Sequence, residues 1–213
     1  MRFQRLSLIM IGVFALVASG CGEHPRFANT NANVPEVTSA TPDPQDEAPK
    51  LDVPFVPTPN EVVDEMLSMA GVKKDDLLYD LGSGDGRIPI TAAKRFGTKG
   101  VGIDLDPIRV KEAKENAEKE NVTELVRFIE GDIFKEDFSE ATVVTLYLLP
   151  QVNLKLKPEL LKMKPGTRVV SHNYDMGDWK PENSKKLTIN GRDHYVYFWR
   201  VPESKPEAKD EEK

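Results

Sequence analysis

The stretch that decides the fold is YDLGSGDGRI, residues 79–88. It follows a short apolar segment, residues 77–81, that is typical of a buried strand, and it leads into a predicted helix that begins near Arg87. Its three glycines let the backbone turn sharply and approach a ligand closely, which a side chain would prevent. A loop of this kind presents its ligand to the N-terminus of the following helix. The stretch therefore predicts a ligand-binding loop between a strand and a helix.

The rest of the chain alternates between strand patterns and helix patterns. Predicted strands cover residues 77–81, 101–105, 126–130, 141–148 and 167–171, and predicted helices cover about 60–69 (capped by Asn60), 87–95, 107–120 and 154–163. Residues 186–189 and 194–201 are predicted to form a hairpin across the Asn190-Gly191 turn. This order predicts an α/β fold of the Rossmann-like type: a mostly parallel, twisted sheet with helices on both faces and a C-terminal antiparallel hairpin.

The glycine loop departs from the dinucleotide-binding fingerprint, because Arg87 stands where that fingerprint needs its third glycine. An acid before a G-x-G-x-G loop instead resembles motif I of the class I S-adenosylmethionine-dependent methyltransferases. The resemblance implies that the loop wraps the methionine part of S-adenosylmethionine and that Asp80 orients it. The alternative is a structural turn that binds no ligand.

Two further acids follow predicted strands. Asp104 ends the second strand, where a Rossmann-like site places an acid that accepts hydrogen bonds from ribose hydroxyls; the alternative is a solvated cap. Asp106 is predicted to cap the next helix rather than to bind a ligand. In the fold that the chain resembles, Asp132 contacts the amine of adenine and Ile133 packs on its ring, with a simple turn acid as the alternative.

Further segments narrow the resemblance. They are VPTP at 56–59, ATVVT at 141–145 leading to Leu149-Pro150, Asn153, and PGTRVVSH at 165–172. Together they look like the small, broad-specificity protein-lysine methyltransferases of archaea and their mitochondrial relatives, over roughly residues 53 to 201. Such a family transfers a methyl group from S-adenosylmethionine to the side-chain amine of lysine.

The resemblance assigns roles to residues of this chain. Thr58 would fold over the methionine end of the cofactor, and Tyr147 and Asn153 would lie near the methyl group as catalytic candidates, with packing or capping as their alternative. His172 is interpreted as a structural, hydrogen-bonded histidine, and Trp179 and Trp199 as core or rim aromatics. The full set of predicted cofactor-binding residues is Thr58, Asp80, Gly82, Ser83, Gly84, Asp85, Gly86, Asp104, Leu105, Asp132 and Ile133.

Composition restricts the partners. The formal charge of −6 argues against nucleic acid, because phosphate binding needs a basic face, and it permits a basic protein substrate. The residues after the fourth strand also lack the Asn-Pro-Pro-Tyr motif of base-modifying and glutamine-modifying amino-methyltransferases. A small-molecule acceptor such as a quinone-type metabolite, and a non-catalytic S-adenosylmethionine-binding module, are the alternatives. One cysteine allows no intramolecular disulfide and no cysteine-based metal site, and a monomer is expected.

The N-terminal segment predicts export. Arg2 and Arg5 precede an apolar run, residues 6–18, which is shorter than the roughly 20 residues that span a bilayer, and Ser-Gly-Cys follows. This resembles a lipoprotein signal and predicts a signal peptide at 1–20 and lipidation at Cys21, with a plain signal peptide as the alternative. A disordered linker at 21–53, a methyltransferase domain at 54–201 and a charged tail at 202–213 would follow. The chain would then be an exported, membrane-anchored lipoprotein of the periplasm or cell envelope. This location conflicts with the predicted cofactor, because S-adenosylmethionine is made in the cytoplasm.

Overall fold

The computed structural model describes residues 55–203. The predicted signal peptide, Cys21, the linker up to residue 53 and most of the tail lie outside the described residues. The described part contains α1 (Asn60–Met69), β1 (Leu77–Leu81), α2 (Arg87–Phe96), β2 (Lys99–Asp104), α3 (Pro107–Lys119), β3 (Val126–Glu130), β4 (Val143–Leu146), α4 (Pro150–Leu160), β5 (Arg168–His172), β6 (Asn183–Ile189) and β7 (Arg192–Arg200). None of the helices between residues 55 and 203 is long and apolar enough to cross a membrane.

The strands form one seven-stranded sheet in the order β3-β2-β1-β4-β5-β7-β6. Neighbouring strands among β1 to β5 pair in parallel, whereas β7 runs antiparallel to both β5 and β6. The predicted fold class is confirmed. The strand order reverses between β1 and β4, and in open α/β sheets ligands bind beside the carboxyl ends of the strands at such a switch point.

The central strands β1, β4 and β5 are buried on both faces, and their successive side chains point to opposite sides of the sheet. Leu81, Leu146 and Val169 pack on one face with Leu156 of α4. Leu78, Val143 and Val170 pack on the other face with Met66 of α1. The continuous apolar runs of β4 and β5 follow from this double burial. These two packed layers fix the positions of the carboxyl ends of the strands relative to one another.

The ends of two helices differ from their prediction. Helix α4 begins at Pro150 rather than at residue 154, and Leu149 is its N-cap. Proline suits the first helical position because its φ is already helical and its missing N–H group would have had no partner there. Asn60 is the first residue of α1 and not its cap, since Pro59 is the N-cap and forms no side-chain bond.

The C-terminal hairpin has the predicted turn. Asn190 has φ +49° and Gly191 has φ +76°, as a two-residue hairpin turn with left-handed central residues requires. The turn fixes the register of β6 against β7, and β7 in turn pairs with β5, with His172 opposite Val196. This register decides which side chains of β7 reach the end of β5.

Candidate active site

A cavity that is open to solvent lies beside the carboxyl ends of β1, β2 and β4. All the predicted cofactor-binding residues except Gly86 line it. Tyr147 also lines it, and Phe55, Val56 and Pro57 close it from the N-terminal side. Residues far apart in the sequence therefore meet at the edge where the topology predicts a ligand.

The glycine loop is shaped by missing side chains. Gly82, Gly84 and Gly86 all have positive φ, a conformation that L side chains rarely adopt. A Cβ at Gly84 would overlap the ring of Phe55, on the cavity side of the loop. A Cβ at Gly86 would instead lie 2.5 Å from Phe128 Cζ and 2.9 Å from Ala113 Cβ. Gly84 thus keeps the cavity open, whereas Gly86 lets the loop pack against β3 and α3.

Asp104 joins the end of β2 to the glycine loop. Its Oδ2 accepts a hydrogen bond from the Gly84 N–H at 2.7 Å, and its Oδ1 accepts one from the Asp106 N–H at 3.0 Å. A carboxylate has about four acceptor positions, so two remain for a ligand. Asp106 accepts from the Ile108 N–H at 2.8 Å and is the N-cap of α3, as its position predicted.

Asp80 is the buried acid of the site, with 2% of its surface exposed. The Thr145 hydroxyl donates to its Oδ1 at 2.6 Å. Burial, with smaller contributions from Asp104 and Asp85, raises the pKa of Asp80 to about 8. A cationic group in the cavity would favour the carboxylate form and draw this pKa down.

Arg87 connects the glycine loop to the segment that precedes α1. Its Nε and Nη2 donate to Asp85 at 2.9 and 2.5 Å, and its Nη1 donates to the Thr58 carbonyl oxygen at 2.7 Å. The hydrogen bond and charge of Asp85 raise the pKa of Arg87 further. In the sequence Arg87 stood out only as a missing glycine, and no local signal indicates its contact with Thr58.

Asp132 lies in the turn after β3. Its Oδ1 accepts from the Phe134 N–H at 3.0 Å, and this bond, helped by Lys135 at 3.2 Å, lowers the pKa of its carboxyl. The side chain therefore stays ionised at neutral pH. Ile133 follows it and lines the cavity.

The wall formed by β4 and β5 is uncharged. The Tyr147 ring lies on the His172 ring with centroids 3.8 Å apart. His172 is fully buried, and its Nδ1 lies 3.2 Å from Thr58 Oγ1. Its Nε2 lies 2.9 Å from Nδ1 of His194, near the start of β7. Spacing along the chain indicates no partner for His172, and the antiparallel register of β7 supplies one.

Asn153 and the tryptophans lie away from this cavity. Asn153 is fully buried in α4, and its Nδ2 donates to Ser171 Oγ and to the Tyr174 carbonyl oxygen, both at 3.2 Å. These contacts hold α4 against β5, and a direct role of Asn153 at the methyl group stays a prediction. Trp199 is fully buried in the core, and its Nε1 donates to the Trp179 carbonyl oxygen at 2.7 Å.

The cavity fits a ligand that carries positive charge. Acidic side chains outnumber basic ones in its lining: they are Asp80, Asp85, Asp104, Asp106 and Asp132, against Arg87, which pairs with Asp85, and Arg109. Within residues 55–203, Ser83 Oγ is buried without a hydrogen-bond partner. A buried hydroxyl without a partner is costly, so a polar group of a ligand in the loop would satisfy it.

Comparison with known proteins identifies the relatives of this chain. A family model described as the ANTKMT methyltransferase domain matches residues 80–183. The protein-lysine N-methyltransferase of Saccharolobus islandicus is 49% identical over 155 residues, which cover 72% of this chain and 96% of that protein. The adenine nucleotide translocase lysine N-methyltransferase of Mus musculus is 31% identical over 134 residues, which cover 62% of this chain and 58% of that protein.

A solved structure is also similar. It is an RNA methyltransferase from Salinibacter ruber in complex with S-adenosyl-L-homocysteine, with 55% sequence identity and a TM-score of 0.67. The match covers 73% of this chain and all of that one. Its ligand is the demethylated form of S-adenosylmethionine. The predicted cofactor, S-adenosylmethionine, is therefore confirmed, and the chain is a methyltransferase.

The predicted destination of the chain is wrong. The relatives are named as lysine methyltransferases, and none of them indicates an exported lipoprotein. The physical reason lies in the cofactor, because a domain built around S-adenosylmethionine must meet it in the compartment that holds it. The prediction of export rested on the apolar run at residues 6–18 and gave less weight to where the cofactor is found.

Proposed function

We propose that this chain, which belongs to the S-adenosylmethionine-dependent protein-lysine N-methyltransferase family, methylates the side-chain amine of lysine in a protein substrate. The observation that carries the proposal is the similarity to the Saccharolobus islandicus enzyme over 96% of its length, at 49% identity. The cavity keeps its glycine loop and its acidic residues, so the cofactor that methyl transfer requires has a site.

The cofactor would be held by the acidic half of the cavity. S-adenosylmethionine supplies a methyl group on a positively charged sulfur, which makes that methyl group electrophilic. Asp80 and the glycine loop would hold the methionine part, Asp104 would accept hydrogen bonds from the ribose hydroxyls, and Asp132 with Ile133 would hold the adenine. Carboxylates around a cationic cofactor bind it by direct charge attraction in a partly dehydrated site.

The acceptor would meet the uncharged half of the cavity. A lysine amine has a pKa of about 10.4 in water, so it arrives protonated and cannot attack. A buried wall without a carboxylate disfavours the ammonium form by desolvation. Tyr147 belongs to this wall, and its burial raises the pKa of its own hydroxyl, so it stays neutral. Positioning and exclusion of water then account for most of the rate enhancement that such a transfer needs.

RNA methylation is the second candidate, because the Salinibacter ruber relative is named as an RNA methyltransferase. The formal charge of −6 favours a basic protein over a polyanion. Leu148-Leu149-Pro150 also stands where Asn-Pro-Pro-Tyr would mark the amino-methyltransferases of nucleic-acid bases. These two features favour lysine, and the substrate assay decides.

The test incubates the purified chain with S-adenosylmethionine carrying a radioactive methyl group and with separate acceptors: histones, ribosomal proteins, total RNA and a lipid extract containing quinones. We expect label in protein, and mass spectrometry should place it on lysine. Gly84→Val serves as the cofactor-site control and should give no label. Label confined to RNA or to the lipid extract would replace the lysine proposal with that acceptor, and cofactor binding without any transfer would indicate a binding module.

A further inference from the structure

We propose that Thr58, His172 and His194 form a proton relay that carries the proton of the acceptor ammonium group from the cavity to solvent. The proposal rests on the proposed lysine methylation, because only an acceptor that arrives protonated needs such a path. It adds His194 to the residues that serve the reaction. It also gives Thr58 and His172 a function besides packing.

The three side chains form one continuous chain of hydrogen bonds. Thr58 lines the cavity, its Oγ1 lies 3.2 Å from His172 Nδ1, and His172 Nε2 lies 2.9 Å from His194 Nδ1. The inner two residues are buried, with Thr58 4% exposed and His172 fully buried, whereas His194 at the outer end is half-buried. The chain of bonds therefore starts at the acceptor side of the cavity and ends where water reaches.

The surroundings of His172 favour a side chain that passes a proton on and does not retain it. Burial, and secondarily the neighbouring His194, lower the pKa of His172 to about 3. It therefore stays neutral and must pass on through one ring nitrogen whatever it receives through the other. The titratable groups that lie against it or next along the chain are Tyr147, whose burial raises its pKa, and His194 with the adjacent Asp193. None of these groups adds a carboxylate to the hydrogen bonds that join Thr58, His172 and His194.

The proton moves by exchange between neighbours, so every bond that breaks is matched by one that forms. The ammonium N–H bond breaks as a proton joins Thr58 Oγ1, and the original hydroxyl proton of Thr58 moves to His172 Nδ1. The Nε2 proton of His172 moves to Nδ1 of His194, which releases its own Nε2 proton to water. The neutral amine keeps the electron pair with which it attacks the methyl group. The tautomers reset by the reverse shift once product has left: His194 Nε2 takes a proton from solvent, and Thr58 Oγ1 gives one to the water that then fills the open cavity.

Two valine variants test the relay. Thr58→Val removes the hydroxyl with little change of shape, and Thr167→Val is its matched control, since Thr167 is also 4% exposed but lies at the opposite end of β5. With a lysine peptide at pH 7.5 we expect Thr58→Val to lower kcat at least about tenfold, because a positioned proton-transfer group contributes roughly 100-fold or more. Both rates are measured at saturating S-adenosylmethionine, because Thr58 is also a predicted cofactor-binding residue, and Thr167→Val should leave kcat unchanged.

The pH profile separates a relay from a packing role. Near pH 10 about 30% of the lysine amine is neutral without help, against about 0.1% at pH 7.5, since its pKa is about 10.4. The deficit of Thr58→Val, and that of His194→Gln, should therefore shrink as the pH rises, and Thr58→Ser should restore part of the rate at pH 7.5. A deficit that is constant from pH 7 to pH 10, or no deficit at all, would overturn the relay. Failure of the wild-type chain to methylate any lysine would instead overturn the proposed function.

A spectroscopic measurement gives a second readout that does not depend on turnover. In the ligand-free chain, nitrogen-15 NMR should show His172 neutral at pH 7.5, with a scalar coupling across the bond between its Nε2 and His194 Nδ1. The coupling should vanish in His194→Gln. In Thr58→Val the populations of the two His172 tautomers should change, because Nδ1 loses its partner. Uncoupled nitrogens in the wild type would show that the relay is broken.

Discussion

The two halves of the cavity differ in charge and in how their residues come together. The half beside β1 and β2 carries Asp80, Asp85 and Asp104, and most of its residues lie in one loop and the strand next to it. The half beside β4 and β5 is lined by Tyr147 and Thr58, and the buried His172 contacts both; these three residues are uncharged and come from three distant segments. The difference indicates a division of labour: one half binds a cationic cofactor, and the other half accepts a group that must lose its charge.

The largest expected effect tests whether the acidic half is the cofactor site. Gly84→Val places a branched side chain where a Cβ would already overlap Phe55, and we expect roughly a hundredfold or greater loss of S-adenosylmethionine affinity by calorimetry. Gly71→Val is the control, because Gly71 has a similar φ of +57° but no atom within 4 Å of an added Cβ. An equal loss of affinity in both variants would attribute the effect to backbone strain and not to filling of the cavity.

Asp104→Ala tests the bridge between loop and strand. We expect a loss of cofactor affinity of about 1.5 to 3 kcal/mol, roughly ten- to a hundredfold, from lost charge-assisted hydrogen bonds. The Tm of the ligand-free chain should fall too, because the N–H groups of Gly84 and Asp106 lose their acceptor. Asp106→Ala removes the cap of α3 and also alters the cavity lining, so it should lower the Tm but reduce affinity less than Asp104→Ala does. Unaltered affinity in folded Asp104→Ala would remove this residue from the ribose site.

Asp80→Asn tests the buried acid through pH. Because the pKa of Asp80 is raised to about 8, the affinity of the wild type for a cationic cofactor should rise from pH 6 and level off above pH 8. Asp80→Asn should lack this rise and bind about tenfold more weakly at pH 9, which corresponds to about one pKa unit of lost interaction. Asp137→Asn, which changes a fully exposed carboxyl, should keep the wild-type profile.

The raised pKa of Asp80 also makes the free energy of unfolding depend on pH. A carboxyl whose folded pKa lies above its unfolded value near 3.8 contributes stability that is present below pH 3.8 and lost as the pH rises through about 8. Relative to the wild type, ligand-free Asp80→Asn should therefore gain most in the free energy of unfolding at pH 9, measured with urea. A constant difference between pH 5 and pH 9 would contradict the raised pKa.

In the uncharged half, His172 should make the free energy of unfolding depend on pH in the opposite direction. The effect of replacing it should be smallest at neutral pH. The pKa of His172 is lowered to about 3, so its contribution to stability is present above its unfolded pKa near 6.5 and is lost as the pH falls towards 3. His172→Gln keeps a donor and an acceptor but cannot titrate. Its free energy of unfolding should decline less steeply than that of the wild type between pH 6.5 and pH 4. Parallel declines would show that His172 is accessible to protons in the folded state.

The acidic half could be predicted from the sequence because its determinants are local. The glycine loop is recognisable between one strand and one helix, and Asp104 ends the next strand of a parallel sheet, so both must reach the same edge. The relation of Arg87 to Thr58, and that of His172 to His194, depends on how distant segments pack. His194 reaches His172 only through the antiparallel register of β7, in which His172 stands opposite Val196. No periodicity within a single segment carries that information.

The boundary between β4 and helix α4 could not be predicted from the local sequence either. Apolar residues at 141–149 continue the pattern of β4 up to Pro150, and nothing in that run marks where the strand stops. In the structure β4 ends at Leu146, and Leu148 packs against Gly82, where an added Cβ would lie 2.6 Å from its Cδ2. Tyr147 and Leu148 thus line the cavity instead of extending the strand.

The reversed direction of β7 also determines where the chain can be extended. Because β7 runs against β5, it begins at the edge of the sheet that holds the cavity and ends at the opposite edge. Val201, just after it, bonds there to Gly166 and Thr167, whose segment leads into β5. A fluorescent reporter or a surface-attachment handle joined at the C-terminal end of the domain therefore departs from the edge remote from substrate, and immobilised protein would keep its cavity facing the solution.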